Sequence, residues 1–155
     1  MAAMASESQI LVPVSPGELL DKITILRIKA QRIGDAQKRA NVRHELELLE
    51  KVWRDALGGR DVSTEERELE QVNARLWDIE DDIRAKEAAQ TFDRGFIELA
   101  RAVYFENDER AAIKKRINTK LGSRIVEEKS YKDYRSSRGS SSGSSSGGSA
   151  PRQLT

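Results

Sequence analysis

Four stretches of the chain repeat their apolar residues every three or four positions, the spacing that gathers them on one face of an α-helix. The first opens on Ser15-Pro16-Gly17-Glu18. Serine is a good N-cap, proline suits the first helical position, and the glutamate falls where a capping box has its acid. Leu19, Ile23, Leu26, Ala30 and Ile33 follow at steps of four and three, and Gly34 reads as the stop. A second helix is predicted from about Asp35 or Lys38 to Leu57, striped by Val42, Leu46, Leu49, Trp53 and Ala56 and ended by Gly58-Gly59. The third begins with another capping-box pair, Ser63 and Glu66, and carries Leu69, Val72, Leu76, Ile79 and Ile83, a heptad-type seam. The fourth runs from about Thr91 or Asp93 to Leu121, with Gly122 beyond it. Its apolar positions Phe96, Leu99 and Val103 resume as Ile113, Ile117 and Leu121, and the polar run Phe105 to Arg110 lies between them.

Outside these stretches the pattern is different. Residues 9–14, QILVPV, are apolar and β-branched, but Pro13 forbids a central strand, which leaves an extended arm packed on a helix or a short edge strand. Residues 124–134 fit a short helix, a strand pairing with 9–14, or an ordered arm. From Arg135 the chain is Ser/Gly-rich and cannot bury enough surface to offset the entropy of ordering, so 135–155 reads as a disordered tail, and 1–8 as a disordered N-terminus. The expected fold is all-α: one helical domain over 9–134, built as an antiparallel helical bundle or a long helical hairpin with extra helices, with a short extended N-terminal arm. The length of helices three and four also suits a homodimer sharing a bundle core.

Composition narrows the functional classes. Of 155 residues 34% are charged and 37% hydrophobic, enough for one modest core. The absence of cysteine removes disulfides, thiolate metal sites and thiol nucleophiles. No run approaches the roughly 18 apolar residues of a membrane span, and the N-terminus lacks the features of a secretory signal, so a cytoplasmic location is expected. Three of the 27 basic residues lie in the tail, which leaves the body with 24 against all 26 acids, a net −2. A body near neutrality has no general pull toward nucleic acid.

Candidate chemistry lies in polar residues beside the apolar seams. On the first helix Glu18, Lys22 and Lys29 line one edge, with Asp21 nearby; on the third, Asn73 and Glu80 are seven apart and Trp77, Asp81 and Arg84 follow a neighbouring edge. On the fourth, Asn107, Arg110, Lys114 and Asn118 share a face. Asparagine is a poor mid-helix residue, so two of them on one stripe with Arg and Lys is a choice propensity would not make. One reading is a polar site between helices, with Arg110 and Lys114 holding a carboxylate or phosphate, the amides orienting it, and Glu80 or Glu18 as acceptor or acid/base. The other is a solvated face with i,i+4 ion pairs, in which Asn107-Asp108 breaks the helix and caps a fresh segment from Glu109. The lone His44 has no partner that would make a metal site, and Trp53 and Trp77 read as core anchors. There is no phosphate-binding glycine loop, nucleophile elbow or zinc spacing, so no cofactor or metal is expected.

Several of these residues fall into four motifs: Ser15-x-Gly17-Glu18-Leu19-x-Asp21-Lys22, Leu76-Trp77-x-x-Glu80-Asp81-x-Ile83-Arg84, Asn107-Asp108-x-Arg110-x-x-x-Lys114-x-x-Ile117-Asn118, and Glu128-Lys129-Ser130-Tyr131. In these the chain resembles a family of short bacterial proteins known as a domain of unknown function, sometimes near or fused to glycan-related genes. The resemblance spans about residues 9–134 and implies no particular activity. It does imply that the signature is polar, which favours a ligand-binding cluster of Glu18, Asp21, Lys22, Glu80, Asp81, Arg84, Asn107, Asp108, Arg110, Lys114, Asn118 and Lys129. Three functions are compatible with this: a binding or adaptor module with a polar inter-helix groove for an anionic ligand or protein partner, a small enzyme acting on an anionic metabolite, and a structural homo-oligomer.

Overall fold

The computed structural model of the protein describes residues 8–134. Four helices account for all the regular structure in that range: α1 (Pro16–Arg32), α2 (Ala36–Leu57), α3 (Ser63–Ala88) and α4 (Arg94–Lys120). The disorder expected of 1–7 and 135–155 lies outside the described residues.

Most helix ends follow the local chemistry. Ser15 Oγ accepts the Glu18 amide at 3.3 Å with Pro16 in the first turn, and Asp93 caps α4 through the Phe96 amide at 3.0 Å. Gly58 (φ 57°) and Gly122 (φ 65°) supply the left-handed backbone that closes α2 and α4. Three ends differ from expectation. α1 stops at Ile33 in extended backbone, without a left-handed Gly34, because Asp35 captures the Lys38 amide at 2.8 Å and starts α2 immediately. Ser63 is already inside α3, and its own amide is taken by Asp61 at 2.9 Å, so the expected capping box does not form. The polar run 105–110 does not break α4, which continues as one helix through Asn107 and Asp108.

α3 and α4 form an antiparallel hairpin, cross-linked by Lys86 and Asp93 near the turn, Arg75 and Glu106 midway, and Glu65 and Lys120 at the far end. α1 lies along the wide end of this hairpin against both helices, and α2 packs on α1. Leu20, Ile23, Leu69, Val72, Ile113 and Ile117 meet between them, joined by Trp53 and Val62, and Leu46, Leu49 and Leu57 of α2 close the cluster. Each such aliphatic side chain contributes about 1.5–3 kcal/mol when fully buried. From Trp77 to Ala112 no residue is fully buried, so the outer half of the hairpin extends beyond the core.

One flanking segment corrects an expectation, and the other takes the last of the three forms expected of it, an ordered arm. Residues 9–14 neither pair as a strand nor pack on a helix; Ile10 and Leu11 are 87% and 92% exposed. Residues 124–134 form neither helix nor strand, and return along α4 as an irregular strap. Its end is pinned where Tyr134 packs edge-on against Tyr104 and Phe105 and its hydroxyl donates to Asp108 Oδ2 at 2.8 Å. No helix among the described residues is long and apolar enough to cross a membrane.

Candidate functional site

Where α1 crosses α3 and α4, the contact is polar. The approach begins at Gly17, whose amide donates to Asn118 Oδ1 at 2.7 Å. A Cβ at this position would stand 2.6 Å from the Lys114 carbonyl oxygen, so only glycine lets the first turn of α1 sit on α4. One turn along, Lys114 reaches back across the same gap. Its Nζ lies 2.6 Å from Glu18, 3.1 Å from Glu127 of the strap and 3.8 Å from Asp21. Burial draws the ammonium's pKa down, but the hydrogen bonds to Glu18 and Glu127 and the charge of Asp21 outweigh it and hold the pKa above the usual lysine value.

Asp21 leads into the second part of the network. Asn73, buried in the middle of α3, donates through Nδ2 to Asp21 Oδ1 at 2.8 Å and to Thr24 Oγ1 at 2.9 Å, while its Oδ1 accepts from Arg110 at 3.2 Å. A carboxylate on one side and a guanidinium on the other fix which way this amide points. Arg110 donates its second bond to Asn107 Oδ1 at 2.7 Å. The stripe Asn107, Arg110, Lys114 and Asn118 therefore faces inward and is bonded along its whole length.

The two cations of that stripe differ in charge balance. Three carboxylates surround Lys114, which leaves it no capacity to hold a further anion. Arg110 is half-buried, its partners are two neutral amide oxygens, and no carboxylate among the described residues pairs with it. A desolvated charge held only by dipoles keeps a strong field for an incoming anion.

Arg110 and Asn107 line two cavities. One, of about 420 Å³, is a groove between α1, α3 and α4. Its floor is Ile25, Ile28 and Leu76, Trp77 forms a wall, and Lys29, Glu80 and Asp81 stand around the rim with Arg110 and Asn107. The other, of about 400 Å³, opens between α4 and the strap and is lined by Tyr104, Asn107, Asp108, Arg110, Lys129 and Tyr131.

Not every expected residue reaches these spaces. Glu18, Asp21, Lys114 and Asn118 form the scaffold joining α1 to α4; Asn107, Asp108, Arg110 and Lys129 line the strap cavity; Glu80 and Asp81 sit on the groove rim. Lys22 turns the other way and pairs with Glu45 of α2 at 2.7 Å. Arg84 pairs with Glu80 at 3.2 Å on the exposed side of α3 and takes no part in either cavity. Trp77 is half-buried against the groove, with Arg32 stacked 6.0 Å above its ring, and is no core anchor. Asn73, Thr24 and Glu127 complete the network without having been singled out as site residues. Of these only Asn73 carried a signal, as an amide placed mid-helix beside an apolar seam.

A cysteine-free helical bundle in which a buried amide-and-charge network joins three helices defines the class. The chain belongs to a family of unknown function (DUF6165), whose model matches residues 10–150. That match includes most of the Ser/Gly-rich stretch beyond the four motifs. No curated protein and no solved structure matches the chain.

Proposed function

We propose that the protein is a small-molecule binding module whose groove between α1, α3 and α4 takes an anionic ligand on Arg110. The observation that carries this is the half-buried guanidinium held by Asn73 and Asn107 with no carboxylate among the described residues to neutralise it. Had the stripe served the bundle alone, an acid facing Arg110 would have stabilised it, as Glu18 and Asp21 do for Lys114. The ligand supplies that missing charge. Binding is favoured over acid–base chemistry because neither groove carboxylate is buried: Glu80 is spent on Arg84, and both Glu80 and Asp81 are exposed. A cytoplasmic location fits a ligand drawn from small phosphorylated or carboxylated metabolites.

Isothermal titration with inorganic phosphate and with succinate tests the reading on the purified chain. Saturable binding of one or both is expected, weakened about 10-fold or more in Arg110→Gln, since a charge-assisted bond contributes about 1.5–3 kcal/mol. Equal binding by wild type and variant would overturn it.

A further inference from the structure

The two cavities that share Arg110 are not alike, and the difference indicates what kind of anion is bound. The strap cavity is cationic. Arg110 and Lys129 line it, neither with a carboxylate partner among the described residues, and they outnumber its one acid, Asp108, which accepts the Tyr134 hydroxyl. Lys129 lies 6.0 Å from the Tyr131 ring and is otherwise free to turn toward Arg110. The groove on the other side of Arg110 is mixed. Trp77 lines it with its ring, Asn107 offers an amide, Lys29 an ammonium and Asp81 a carboxylate with no partner among the described residues, while Glu80 beside them is paired with Arg84.

Such a pair of spaces asks for a ligand with two unlike ends. A tetrahedral dianion fits between Arg110 and Lys129, where the guanidinium fork and an ammonium each take oxygens. A polyol fits the groove: its hydroxyls donate to Asp81 and accept from Lys29, and its C–H face lies on the Trp77 ring. A plain dicarboxylate would place its second negative end beside two carboxylates, Glu80 and Asp81, with Lys29 the one ammonium at that rim. We infer that the ligand is a phosphorylated polyol of the sugar-phosphate class, with phosphate under the strap and sugar in the groove. This rests on the anion-binding reading of Arg110 and deepens it.

Three probes separate the two claims: inorganic phosphate, glucose-6-phosphate and free glucose, titrated against wild type, Lys129→Ala, Trp77→Ala and Asp81→Asn. Glucose-6-phosphate is expected to bind at least 10-fold more tightly than phosphate, and free glucose not measurably. Lys129→Ala should weaken both phosphorylated probes about equally. Trp77→Ala and Asp81→Asn should remove most of the sugar's advantage and leave phosphate unchanged. Asp81 is exposed and unpartnered, so Asp81→Asn keeps the test valid if the tryptophan variant misfolds. Phosphate bound equally well by Arg110→Gln and wild type would defeat the anion site itself. Phosphate binding that depends on Arg110, with no gain from the sugar or with a gain untouched by Asp81→Asn, would overturn only the sugar-phosphate assignment. Succinate bound more tightly than glucose-6-phosphate would do the same.

Discussion

Replacing Gly17 by alanine adds one methyl group at the closest approach of α1 to α4. The new Cβ would lie 2.6 Å from the Lys114 carbonyl oxygen, 2.9 Å from Asn118 Oδ1 and 3.1 Å from Lys114 Cα. Two of these three atoms are helix backbone, so no rotamer change relieves them and α1 must retreat from α4. Overpacking of this kind costs about 1–3 kcal/mol. The retreat also stretches the 2.7 Å bond from the Gly17 amide to Asn118, a further ~0.5–1.5 kcal/mol. Against this stands a gain of about 0.4–1 kcal/mol from the stiffer unfolded chain. The net expectation is a loss of about 1–3 kcal/mol, read from urea denaturation followed by far-UV circular dichroism and tryptophan fluorescence, with an unchanged m-value. The double variant with Asn118→Ala sharpens the test. There the hydrogen bond and one contact are already gone, so Gly17→Ala should cost less, by about 1 kcal/mol, without becoming neutral, because the Lys114 carbonyl remains. A Gly17→Ala protein as stable as wild type or more so would show that α1 does not sit on α4 in this way, and the polar network built on that contact would fall with it.

Asn73→Ala removes three hydrogen bonds and leaves Asp21 and Arg110 short of partners; a loss of about 2–4 kcal/mol is expected in the same denaturation assay. Lys114→Met takes the counter-ion from buried Asp21 and leaves the half-exposed Glu18 and Glu127 to water, and should cost about 1–3 kcal/mol at neutral pH. Because the Lys114 pKa is raised by folding, its contribution is fully present below the ordinary lysine value of 10.5 and is lost as pH climbs through the higher folded value. The stability gap between wild type and Lys114→Met should therefore narrow above pH 10.5, and a gap that widens there would contradict the geometry. Glu65 gives the opposite sign. Its hydrogen bond with Lys120 lowers the pKa against the opposing effect of burial, so its contribution is complete above the ordinary value of 4.5 and is lost as pH falls through the lower folded value. Glu65→Gln should be less stable than wild type at pH 7, with the difference shrinking in acid.

Helix number, order and stripes were legible because they rest on periodicity and on cap residues that act within three or four positions. Ser15-Pro16-x-Glu18 and Asp93 work through neighbours in sequence, and the chain states them directly. Ser63 misleads for the same local reason: Asp61, two residues earlier, competes for its amide, and which acceptor wins depends on the turn after Gly59. The fate of FENDER was not a local matter at all. An asparagine and an aspartate side by side argue for a break by propensity, yet α4 continues because Arg110, which also holds Asn107, finds Asn73 across the interface and Asp108 finds Tyr134, partners 26 or more residues away. Tertiary bonding overrides propensity there. Lys22 and Lys114 show the limit of spacing arguments. Both lie on edges beside an apolar stripe; one pairs outward with α2 and the other inward with α1, and only the packing of α2 on α1 decides which.

The inward stripe of α4 also explains why stability and the proposed binding would use separate cations on one helix. A lysine ammonium is compact and can collect carboxylates from several directions, as Lys114 does from α1 and the strap. Once so neutralised, it joins the helices and offers nothing to a ligand. A guanidinium is planar and has donors to spare after its two bonds to Asn73 and Asn107, so Arg110 can be fixed by neutral groups and remain charged toward the cavities on either side. Exchanging the two residues should lose both functions. Lysine at 110 could not bridge both amides and still point a fork at an anion, and arginine at 114 would have to find room between Glu18, Asp21 and Glu127, where the lysine side chain is already only 10% exposed. The position of each cation, one turn apart on the same face, is thus what separates the part of the network that holds α1 in place from the part that we propose takes a ligand.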